Sequence, residues 1–477
     1  MRGSSEIAGT ALLACLVAGP LLAAERQTIV PGKSPGIAIS VDPLSARRDA
    51  ADWPKYCANL AMTGVAAGEL RISRESAPTL RLAWQDTLTG AVASSPIVVR
   101  GRVHVGDWSG TEWVLDAGDG HALATANLGT TSAGQCTPSD LGVTSAPAEH
   151  DGVVYLAGGD DGFYALDEAT LAQRWRTSID PRDPPGGYYG WASPAIFRGV
   201  VYQGISSNCD NPFIPGRLDA LDPASGEIVG SAVFSPVGDR SHYGAGIWTS
   251  PAVDERTGKI FVTTASAWHY EDGLAYSIAR VATGTLAIED TWKIPKEDFD
   301  LTIDADWGSS PTLFTDSEGN ALVGAGQKNG FYYAFRRDAL SDGPVWKTAI
   351  AVPGLCPQCS EGSISTAAFD GSRLYVGGGY PANFDPPLPG AVTALDPSTG
   401  TVLWRATLPG AVLAPISVAN GVVFAAGGKR CVAVRSDTGE VLWQADTESD
   451  VYGGIAISRG RIFFGDIAGN LYAYEVP

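Results

Sequence analysis

The sequence predicts an all-β protein built as an eight-bladed β-propeller, and three observations lead to this fold class. Gly (58) and Pro (31) are spread through all 477 residues, and Val, Ile, Tyr and Trp recur in short runs, a pattern typical of many short strands joined by turns. A unit of about four strand-length runs returns along the chain. The last unit lacks one strand, and a matching strand stands near the other end of the sequence.

The repeated unit has the form (Ser/Ala)-Pro, an apolar run, Gly, VYxGG and ALDxxTGxxxW. Its clearest copies are SAPAEHDGVVYLAGGDDGFYALDEATLAQRW (145–175) and AVTALDPSTGTVLW (391–404). A sheet this small cannot bury both faces alone, so neighbouring units must stack. The units begin at eight landmarks: Pro96, Pro147, Pro194, Pro251, Pro311, Ala367, Pro415 and Gly454.

The incomplete unit explains how the ring closes. The last unit, YGGIAISRGRIFFGDIAGNLYAYEVP, stops where its TGxxxW strand should begin, and the orphan LRLAWQDTL (80–88) precedes the first complete unit. Pairing the two removes the last free sheet edge. We therefore expect a propeller domain at 51–477, with seven whole blades and a last blade closed by an N-terminal strand.

Two repeated residue types are predicted to be structural. The tryptophan that ends each unit is expected to pack between blades, and the ALD aspartates suit tight turns. The tryptophans are Trp175, Trp346, Trp404 and Trp443, and the aspartates include Asp167, Asp222 and Asp396.

The N-terminus has the pattern of an export signal. One basic residue precedes an apolar run from Ala11 to Ala24, which predicts a secretory signal peptide at 1–24 and is too short to span a membrane. A lipoprotein signal ending at Cys15 is the alternative. Residues 25–50 contain three prolines and are expected to form an N-terminal tail. The protein is thus predicted to be secreted or periplasmic, without a transmembrane segment.

The net charge limits which partner classes are expected, and the cysteine content bears on whether disulfides form. The net charge of -19 argues against nucleic acid and anionic membranes as partners. Export removes Cys15 and leaves an even number of cysteines, for which structural disulfides are the default. CPQCS (356–360) has the spacing of a redox or haem motif, but Ser360 stands where haem attachment needs His. The remaining cysteines are Cys57, Cys136, Cys209, Cys356, Cys359 and Cys431.

The tandem ALDxxTGxxxW units resemble the repeats of quinoprotein alcohol dehydrogenases, which are eight-bladed propellers that bind pyrroloquinoline quinone (PQQ) on the central axis. The resemblance covers most of residues 53–477, and LVGAGQKNGFYYAF (322–335) is similar to the polyvinyl alcohol dehydrogenase branch. Non-enzymatic propellers of the outer-membrane assembly factor type carry similar repeats and bind no quinone. A binding or assembly scaffold is therefore the alternative function.

The irregular units supply the candidate site. GAGIWTSPAVDERTGKIFVTTAS (244–266) resembles the blade whose Trp stacks beneath the quinone, which implies that role for Trp248. DADWGSSP (304–311) falls where the family places its catalytic aspartate, so Asp306 is the expected base and Asp304 the second choice. Lys328 matches the basic residue that contacts the quinone oxygens, with Asn329 beside it. The alternative for KNG is a solvated hairpin turn.

Metal and disulfide expectations also follow from the resemblance. The calcium-dependent relatives have Asn where this chain has Ser266, and their Glu ligand lies in a loop that reads GISSNCDNPFIPGR (204–217) and offers Asp210. Ca²⁺ is thus an optional second cofactor. Its expected ligands are Asp210, Ser266 and Asp304.

The cysteine pair that covers the cofactor in the family is also changed. The corresponding loop here has Cys136 alone. We expect it to bond Cys209 across the propeller mouth, beside the cofactor, and Cys356 to bond Cys359, although the sequence leaves the connectivity open.

The resemblance implies an exported oxidoreductase that oxidises a small-molecule or polymeric alcohol by hydride transfer to PQQ, with an aspartate base. Because the chain has no haem motif, electrons would leave through a separate acceptor, a cytochrome c or a quinone. A cationic cytochrome would suit the acidic surface.

Overall fold

Among the described residues, eight antiparallel sheets are each built on four strands in up-and-down order; one of them carries a fifth strand, and the last takes one of its four strands from the N-terminal side. The computed structural model describes residues 49–132, 140–181, 187–236, 238–298, 305–354, 356–379 and 389–477. The predicted signal peptide (1–24) and residues 25–48 of the predicted tail lie outside the described residues.

The first four blades occupy the N-terminal half of the ring. Blade 1 consists of Ile97–Val99, Arg102–Gly106, Thr111–Asp116 and Ala122–Asn127. Blade 2 consists of Ala148–His150, Val153–Ala157, Gly162–Asp167 and Gln173–Ser178. Blade 3 consists of Ala195–Phe197, Val200–Ser207, Arg217–Leu221 and Ile228–Val233, with Tyr188–Tyr189 as an additional strand. Blade 4 consists of Ala252–Asp254, Lys259–Thr263, Ser277–Ala282 and Ile288–Lys293.

The remaining blades complete the circle. Blade 5 consists of Thr312–Thr315, Ala321–Gly326, Phe331–Arg336 and Trp346–Ala349. Blade 6 consists of Ala368–Phe369, Leu374–Gly378, Gly390–Leu395 and Val402–Leu408. Blade 7 consists of Ser417–Ala419, Val422–Gly427, Arg430–Arg435 and Val441–Asp446. Blade 8 consists of Ala456–Ser458, Arg461–Gly465, Asn470–Glu475 and Arg81–Thr87.

Few other elements occur among the described residues. Thr131–Ser132 and Asp140–Leu141 form a two-stranded ribbon. Single 3₁₀ turns lie at Ala77–Thr79, Arg240–His242, Lys296–Asp298, Leu340–Asp342 and Pro357–Cys359. In the part of the chain that the structure describes, no helix is long and apolar enough to cross a membrane.

The predicted closure of the ring is confirmed. The strand Arg81–Thr87 lies antiparallel to Asn470–Glu475, with Trp84 opposite Ala473. The first strands of neighbouring blades contact one another around the ring, so they line the axis. Each of the eight predicted landmarks lies one or two residues before one of these first strands. The eight-bladed propeller is therefore the observed fold.

The Ser-Pro landmarks link neighbouring blades at the axis. The backbone N–H of Ala146 donates to the hydroxyl of Ser193 (2.9 Å), that of Ser193 to the hydroxyl of Ser250 (2.9 Å) and that of Ser250 to the hydroxyl of Ser310 (2.9 Å). Each hydroxyl thus satisfies a buried donor of the preceding blade. This requirement explains why Ser recurs before Pro in the sequence.

The repeated tryptophans pack between blades, as predicted. The indole N–H of Trp175 donates to the carbonyl of Pro223 in the next blade (2.9 Å). In the corresponding turn of the next blade, Gly226 follows Ser225; it has a φ of 75°, and a Cβ there would lie 2.6 Å from the Trp175 ring. Only glycine suits both the left-handed backbone and this close contact. The other predicted tryptophans donate in the same way, Trp346 to Pro397, Trp404 to Ser436 and Trp443 to Leu80.

The ALD aspartates form tight turns, which confirms the second structural prediction. Oδ1 of Asp167 accepts the backbone N–H groups of Ala169 (3.2 Å) and Thr170 (3.1 Å). Asp222 and Asp396 make equivalent bonds. These carboxylates accept backbone N–H groups and serve to form the turns.

A segment without a predicted role, residues 53–66, crosses the axis. Its backbone forms hydrogen bonds with the first strands of six blades, through Val98, Glu149, Val253, Leu313, Phe369 and Val418. Each of these is the second residue of its strand. The segment therefore ties the blades together where the inner strands meet.

The cysteines are only in part as expected. Cys356 and Cys359 form a disulfide, as predicted. Cys209 is also disulfide-bonded, whereas its expected partner Cys136 lies outside the described residues. The expectation of structural disulfides fails for Cys57 and Cys431, which are free and buried in two different hydrophobic clusters.

Candidate functional site

Three residues expected in the site lie together at one end of the ring, between blades 4 and 5. Nζ of Lys328 is 3.5 Å from Oδ2 of Asp306 and 5.8 Å from the centroid of the Trp248 ring. Trp248 and Asp306 stand in the connections that enter blades 4 and 5, and Lys328 stands in the turn between the second and third strands of blade 5. Up-and-down order places all three segments at the same end of the propeller.

The KNG segment forms a hairpin turn, but the turn is not solvated. Gly330 has a φ of 84°, as a tight turn requires. Lys328 is only 8% exposed and Asp306 only 6%. Because an ammonium and a carboxylate are both costly to bury, such a pair calls for an explanation beyond turn formation.

Ser266 holds the Asp306 carboxylate in place. Its backbone N–H donates to Oδ1 of Asp306 at 2.5 Å, and its hydroxyl donates to the same oxygen. Nearby, the hydroxyl of Thr263 donates to the carbonyl of Ser309 (3.0 Å) and lies 2.8 Å from the hydroxyl of Thr249. The segments that carry Trp248 and Asp306 are thus joined through the second strand of blade 4.

An aromatic cluster packs around Trp307, the residue that follows Asp306. Trp307 is fully buried, and its ring centroid lies 5.4 Å from that of Tyr333 and 6.4 Å from that of Trp292. Rings at these distances pack in tilted or edge-on geometry. The backbone that presents Asp306 is therefore anchored in the core between blades 4 and 5.

Asp210, the predicted metal ligand, faces the same region. Burial is the main cause that raises the pKa of Tyr276, and the charges of Asp306 and Asp210 add to it. Both carboxylates therefore lie within electrostatic range of this phenol. Ser207 donates its hydroxyl to Oδ1 of Asp210 (2.5 Å). Asp210 and Asp306 thus both act on Tyr276, a residue for which the sequence offered no signal.

The side chain of Asn329 points elsewhere. Its amide nitrogen donates to the hydroxyl of Tyr333 (2.7 Å) and to the carbonyl of Asp298 (3.2 Å), and its amide oxygen accepts the N–H of Phe331 (3.2 Å). These bonds shape the turn of blade 5. They leave the cofactor role of Asn329 a prediction without geometric support.

Two expected site residues, Asp304 and Cys136, lie outside the described residues. Their roles as metal ligand or second base, and as a cover over the cofactor, stay predictions. Cys209 precedes Asp210 in the loop that faces the site and is disulfide-bonded.

An axial cavity of about 180 Å³ adjoins the site. Its walls are aromatic and hydroxyl-bearing, and include Trp108, Trp191, Trp248, Tyr452 and Ser250. The volume is below the roughly 300–1,000 Å³ of typical small-molecule sites, so the cavity alone is not a whole cofactor site. Nε1 of Trp248 is buried and has no hydrogen-bond partner among the described residues.

The residues present fit a planar, anionic, oxygen-rich cofactor. Trp248 offers a flat ring and an indole donor without a partner, and Lys328 places a positive charge above that ring. Stacking on an indole and contact with a buried ammonium are the interactions that a flat polyanion needs. The donor set thus matches PQQ.

The fold and this arrangement define an eight-bladed propeller of PQQ-type repeats with a candidate site on its axis. The chain belongs to the PQQ_2 family, described as outer membrane protein assembly factor BamB, whose sequence model matches residues 136–280 and 334–476.

A curated relative and two solved structures are similar to this chain. Polyvinylalcohol dehydrogenase of Pseudomonas sp. is 25% identical over 353 residues, which are 63% of this chain and 51% of that protein. The chain thus spans about half the length of this relative. Quinohemoprotein alcohol dehydrogenase from Comamonas testosteroni aligns with a TM-score of 0.73 at 18% identity, over 89% of this chain and 80% of its own. BamB from Moraxella catarrhalis aligns with a TM-score of 0.58 at 14% identity, over 83% of this chain and 99% of its own.

Proposed function

We propose that the protein is an exported alcohol dehydrogenase that uses PQQ. The observation that carries the proposal is the buried Asp306–Lys328 pair beside the ring of Trp248. The similarity to a polyvinylalcohol dehydrogenase supports the reaction class. The substrate is an alcohol, either a small molecule or a polymer.

Trp248 and Lys328 are the residues that would hold the cofactor. When bound, PQQ supplies the electrophilic carbonyl that accepts a hydride from the alcohol carbon. Trp248 offers its ring face and Nε1–H, and Lys328 offers its ammonium group. A bound Ca²⁺ would find oxygen ligands in Asp210 and Ser266, with Asp304 as the third proposed ligand.

Asp306 acts as the general base. Its Oδ1 accepts two hydrogen bonds from Ser266, whereas Oδ2 faces Lys328 and has a second lone pair with which to accept the proton of the substrate hydroxyl. Loss of that proton drives the C–H electron pair away from the alcohol carbon, and a carbonyl product results. The ammonium of Lys328 lies 3.5 Å from Oδ2. It stabilises the negative charge of the Asp306 carboxylate in a site from which water is largely excluded.

The proposal includes a separate electron acceptor, a cytochrome c or a quinone. The net charge of -19 favours a cationic partner, because complementary charge speeds the encounter. Increasing salt is then expected to slow electron transfer to a basic cytochrome, measured as acceptor reduction after reaction with an alcohol.

The test is dye-linked alcohol oxidation by the chain without residues 1–24, after incubation with PQQ, with and without Ca²⁺. Asp306→Asn is expected to lower kcat by about 10²- to 10⁴-fold while the variant still retains quinone absorbance after desalting. Asp338→Asn, at an exposed position, is the control and should keep full activity. If neither the wild type nor Asp306→Asn retains quinone after desalting, the proposal is contradicted.

A scaffold function is the second candidate, favoured by the description of the matching family. It predicts no quinone binding and no effect of Asp306→Asn beyond a change in stability. The buried pair argues against it, because a purely structural interface gains little from two desolvated charges. Quinone retention after desalting separates the two functions directly.

A further inference from the structure

A loop in the connection between blades 5 and 6 packs on the turn that carries Lys328. Its described residues are 352–354 and 356–363. The backbone N–H of Gly354 donates to the carbonyl of Lys328 (3.1 Å), and the N–H of Ser363 donates to the carbonyl of Gln327 (3.3 Å). Both sides of the loop therefore hold the backbone of the Lys328 turn.

Gly362 brings the loop into direct contact with Lys328. Gly362 has a φ of 60°, and a Cβ there would lie 2.5 Å from the carbonyl oxygen of Lys328 and 2.8 Å from its Cα. Only glycine suits both this backbone and this close approach. The N–H of Gly362 also donates to the carbonyl of Val352 (2.8 Å), which ties the two sides of the loop to each other.

A covalent bond closes the tip of the loop. Cys356 and Cys359 form a disulfide. The N–H of Glu361 donates to the carbonyl of Cys356 (3.3 Å), and Oε2 of Glu361 accepts the N–H of Cys356 (3.3 Å). Val352, Gln358 and Cys359 are exposed, so hydrophobic burial of these side chains adds little. The disulfide is therefore the constraint that limits the conformations of the tip.

The position of the ammonium group depends on this turn. The backbone N–H of Lys328 donates to the carbonyl of Asp306 (3.3 Å), and Nζ of Lys328 lies 3.5 Å from Oδ2 of the same residue. Lys328 is only 8% exposed, and an ammonium group gains hydration when it leaves such a site. A looser turn would therefore let the ammonium move away from Asp306 and Trp248 toward solvent.

The disulfide is open to reduction. Cys359 is exposed and Cys356 is partly exposed, so a small dithiol can reach the bond. One thiolate of the dithiol attacks the sulfur of Cys359, the S–S bond breaks, and Cys356 leaves as a thiolate that takes up a proton. The second thiol of the reagent then displaces Cys359 from the mixed disulfide. Two electrons and two protons thus pass to the protein, and the reagent ends as a cyclic disulfide.

We infer that the Cys356–Cys359 disulfide is a positioning element for Lys328, and that its reduction by a dithiol releases the ammonium group and weakens cofactor binding. The cofactor part rests on the proposed function, whereas the contact between the loop and the Lys328 turn depends on no ligand. The site is then complete only in an oxidising compartment, which matches the proposed export.

The first test measures the accessibility of lysine amines and needs no cofactor. The purified wild type is acetylated with an N-hydroxysuccinimide ester before and after treatment with a dithiol, and mass spectrometry identifies the modified lysines. Reduction is expected to speed the modification of Lys328 about tenfold, because local opening exposes its amine. Lys55 is the matched control, since it is 5% exposed in the segment that crosses the axis and should stay protected. Faster modification of both lysines would indicate general unfolding and overturn the inference.

A variant separates this bond from the disulfide of Cys209, which a dithiol also reduces. The double substitution Cys356→Ser with Cys359→Ser leaves Cys209 disulfide-bonded. In the untreated variant, Lys328 should be modified as fast as in the reduced wild type. If the untreated variant still protects Lys328, the Cys209 bond is responsible for any effect of the dithiol, and the inference is wrong.

The second test measures cofactor binding, by titrating PQQ while indole fluorescence is recorded. The Kd is expected to rise about tenfold in the double serine variant and in the reduced wild type. In Lys328→Met the Kd should no longer depend on reduction, because the disulfide acts through the ammonium group. An unchanged Kd in the wild type, or the same rise in Lys328→Met, would overturn the inference. If the oxidised wild type binds no PQQ, the proposed function fails, and the modification of Lys328 alone decides whether the disulfide positions it.

Discussion

The regular blades and the pair of blades 4 and 5 use the same residue types for different purposes. Between blades 2 and 3, Trp175 packs on Gly226 and donates to a backbone carbonyl. In blade 4, Trp292 instead packs on Trp307 and Phe335, directly behind Asp306. Blade 5 has no ALDxxTG turn for a tryptophan to meet. An interface that elsewhere only joins blades here supports a buried carboxylate.

The difference predicts opposite outcomes for two tryptophan substitutions. Trp175→Ala should lower the free energy of unfolding by about 3–5 kcal/mol, because it empties the contact between blades 2 and 3, and should leave activity per folded molecule unchanged. Trp248→Ala should abolish quinone retention with a smaller loss of stability, since its ring borders a cavity. Denaturant unfolding and quinone absorbance after desalting measure the two effects. Equal stability losses with retained quinone in both variants would erase the distinction.

The glycine opposite each tryptophan gives a sharper test of the regular interface. In Gly226→Ala, the new Cβ would meet the Trp175 ring at 2.6 Å at a φ of 75°, so backbone strain and overpacking should together cost about 2–4 kcal/mol. Gly371→Ala is the control, because it has a φ of 92° and open space around the added Cβ; only strain of about 1–2 kcal/mol is expected there.

A double substitution isolates the contact itself. In the Trp175→Ala background the ring is absent and only the Thr177 hydroxyl, 2.7 Å from the added Cβ, stays close, so Gly226→Ala should cost less than it does in the wild type when both are measured by denaturant unfolding. Strict additivity of the two changes would show that Trp175 and Gly226 do not interact.

Much of the fold could be predicted because each contact between blades imposes local residue requirements that repeat. Trp175 needs a glycine partner, Asp167 needs backbone N–H donors two and three residues further on, and Ser193 needs a donor from the preceding blade. The position of Trp248, Asp306 and Lys328 could be predicted because these residues interrupt the repeat, and the resemblance gave them roles. Their proximity is now observed, while their chemistry is a proposal.

The rest depended on contacts that no local pattern encodes. Residues 53–66 cross the axis by backbone hydrogen bonds, which any sequence able to reach the inner strands can form. Tyr276 matters through its place near two carboxylates, not through a motif. Parity of cysteine number could not show that Cys57 and Cys431 occupy separate cores. Lys328 was open to interpretation as a solvated turn because burial depends on the neighbouring blade.

Two buried carboxylates provide the last contrast. Asp306 has the two Ser266 donors and Lys328 beside it, whereas Glu112, in the third strand of blade 1, is fully buried and its carboxylate oxygens have no hydrogen-bond partner among the described residues. Burial, and then the charge of Asp107, raises the pKa of Glu112 well above its ordinary value of 4.5. Glu112 therefore keeps its proton to a higher pH in the folded protein than in the unfolded chain.

The sign of the pH dependence follows from this raised pKa. The unfolded chain releases the Glu112 proton above pH 4.5 while the folded protein keeps it, so the stability present at lower pH is lost as the pH rises toward the folded-state pKa. Glu112→Gln removes this linkage. Relative to the wild type, the variant should gain about 1 kcal/mol in unfolding free energy between pH 4.5 and about 5.5, because the unfolded Glu112 is only half ionised at the start of this range. Urea unfolding across this range measures the difference, and parallel curves for the two proteins would mean that Glu112 is ionised or solvated in the native state, which would place it with the partnered carboxylates such as Asp306.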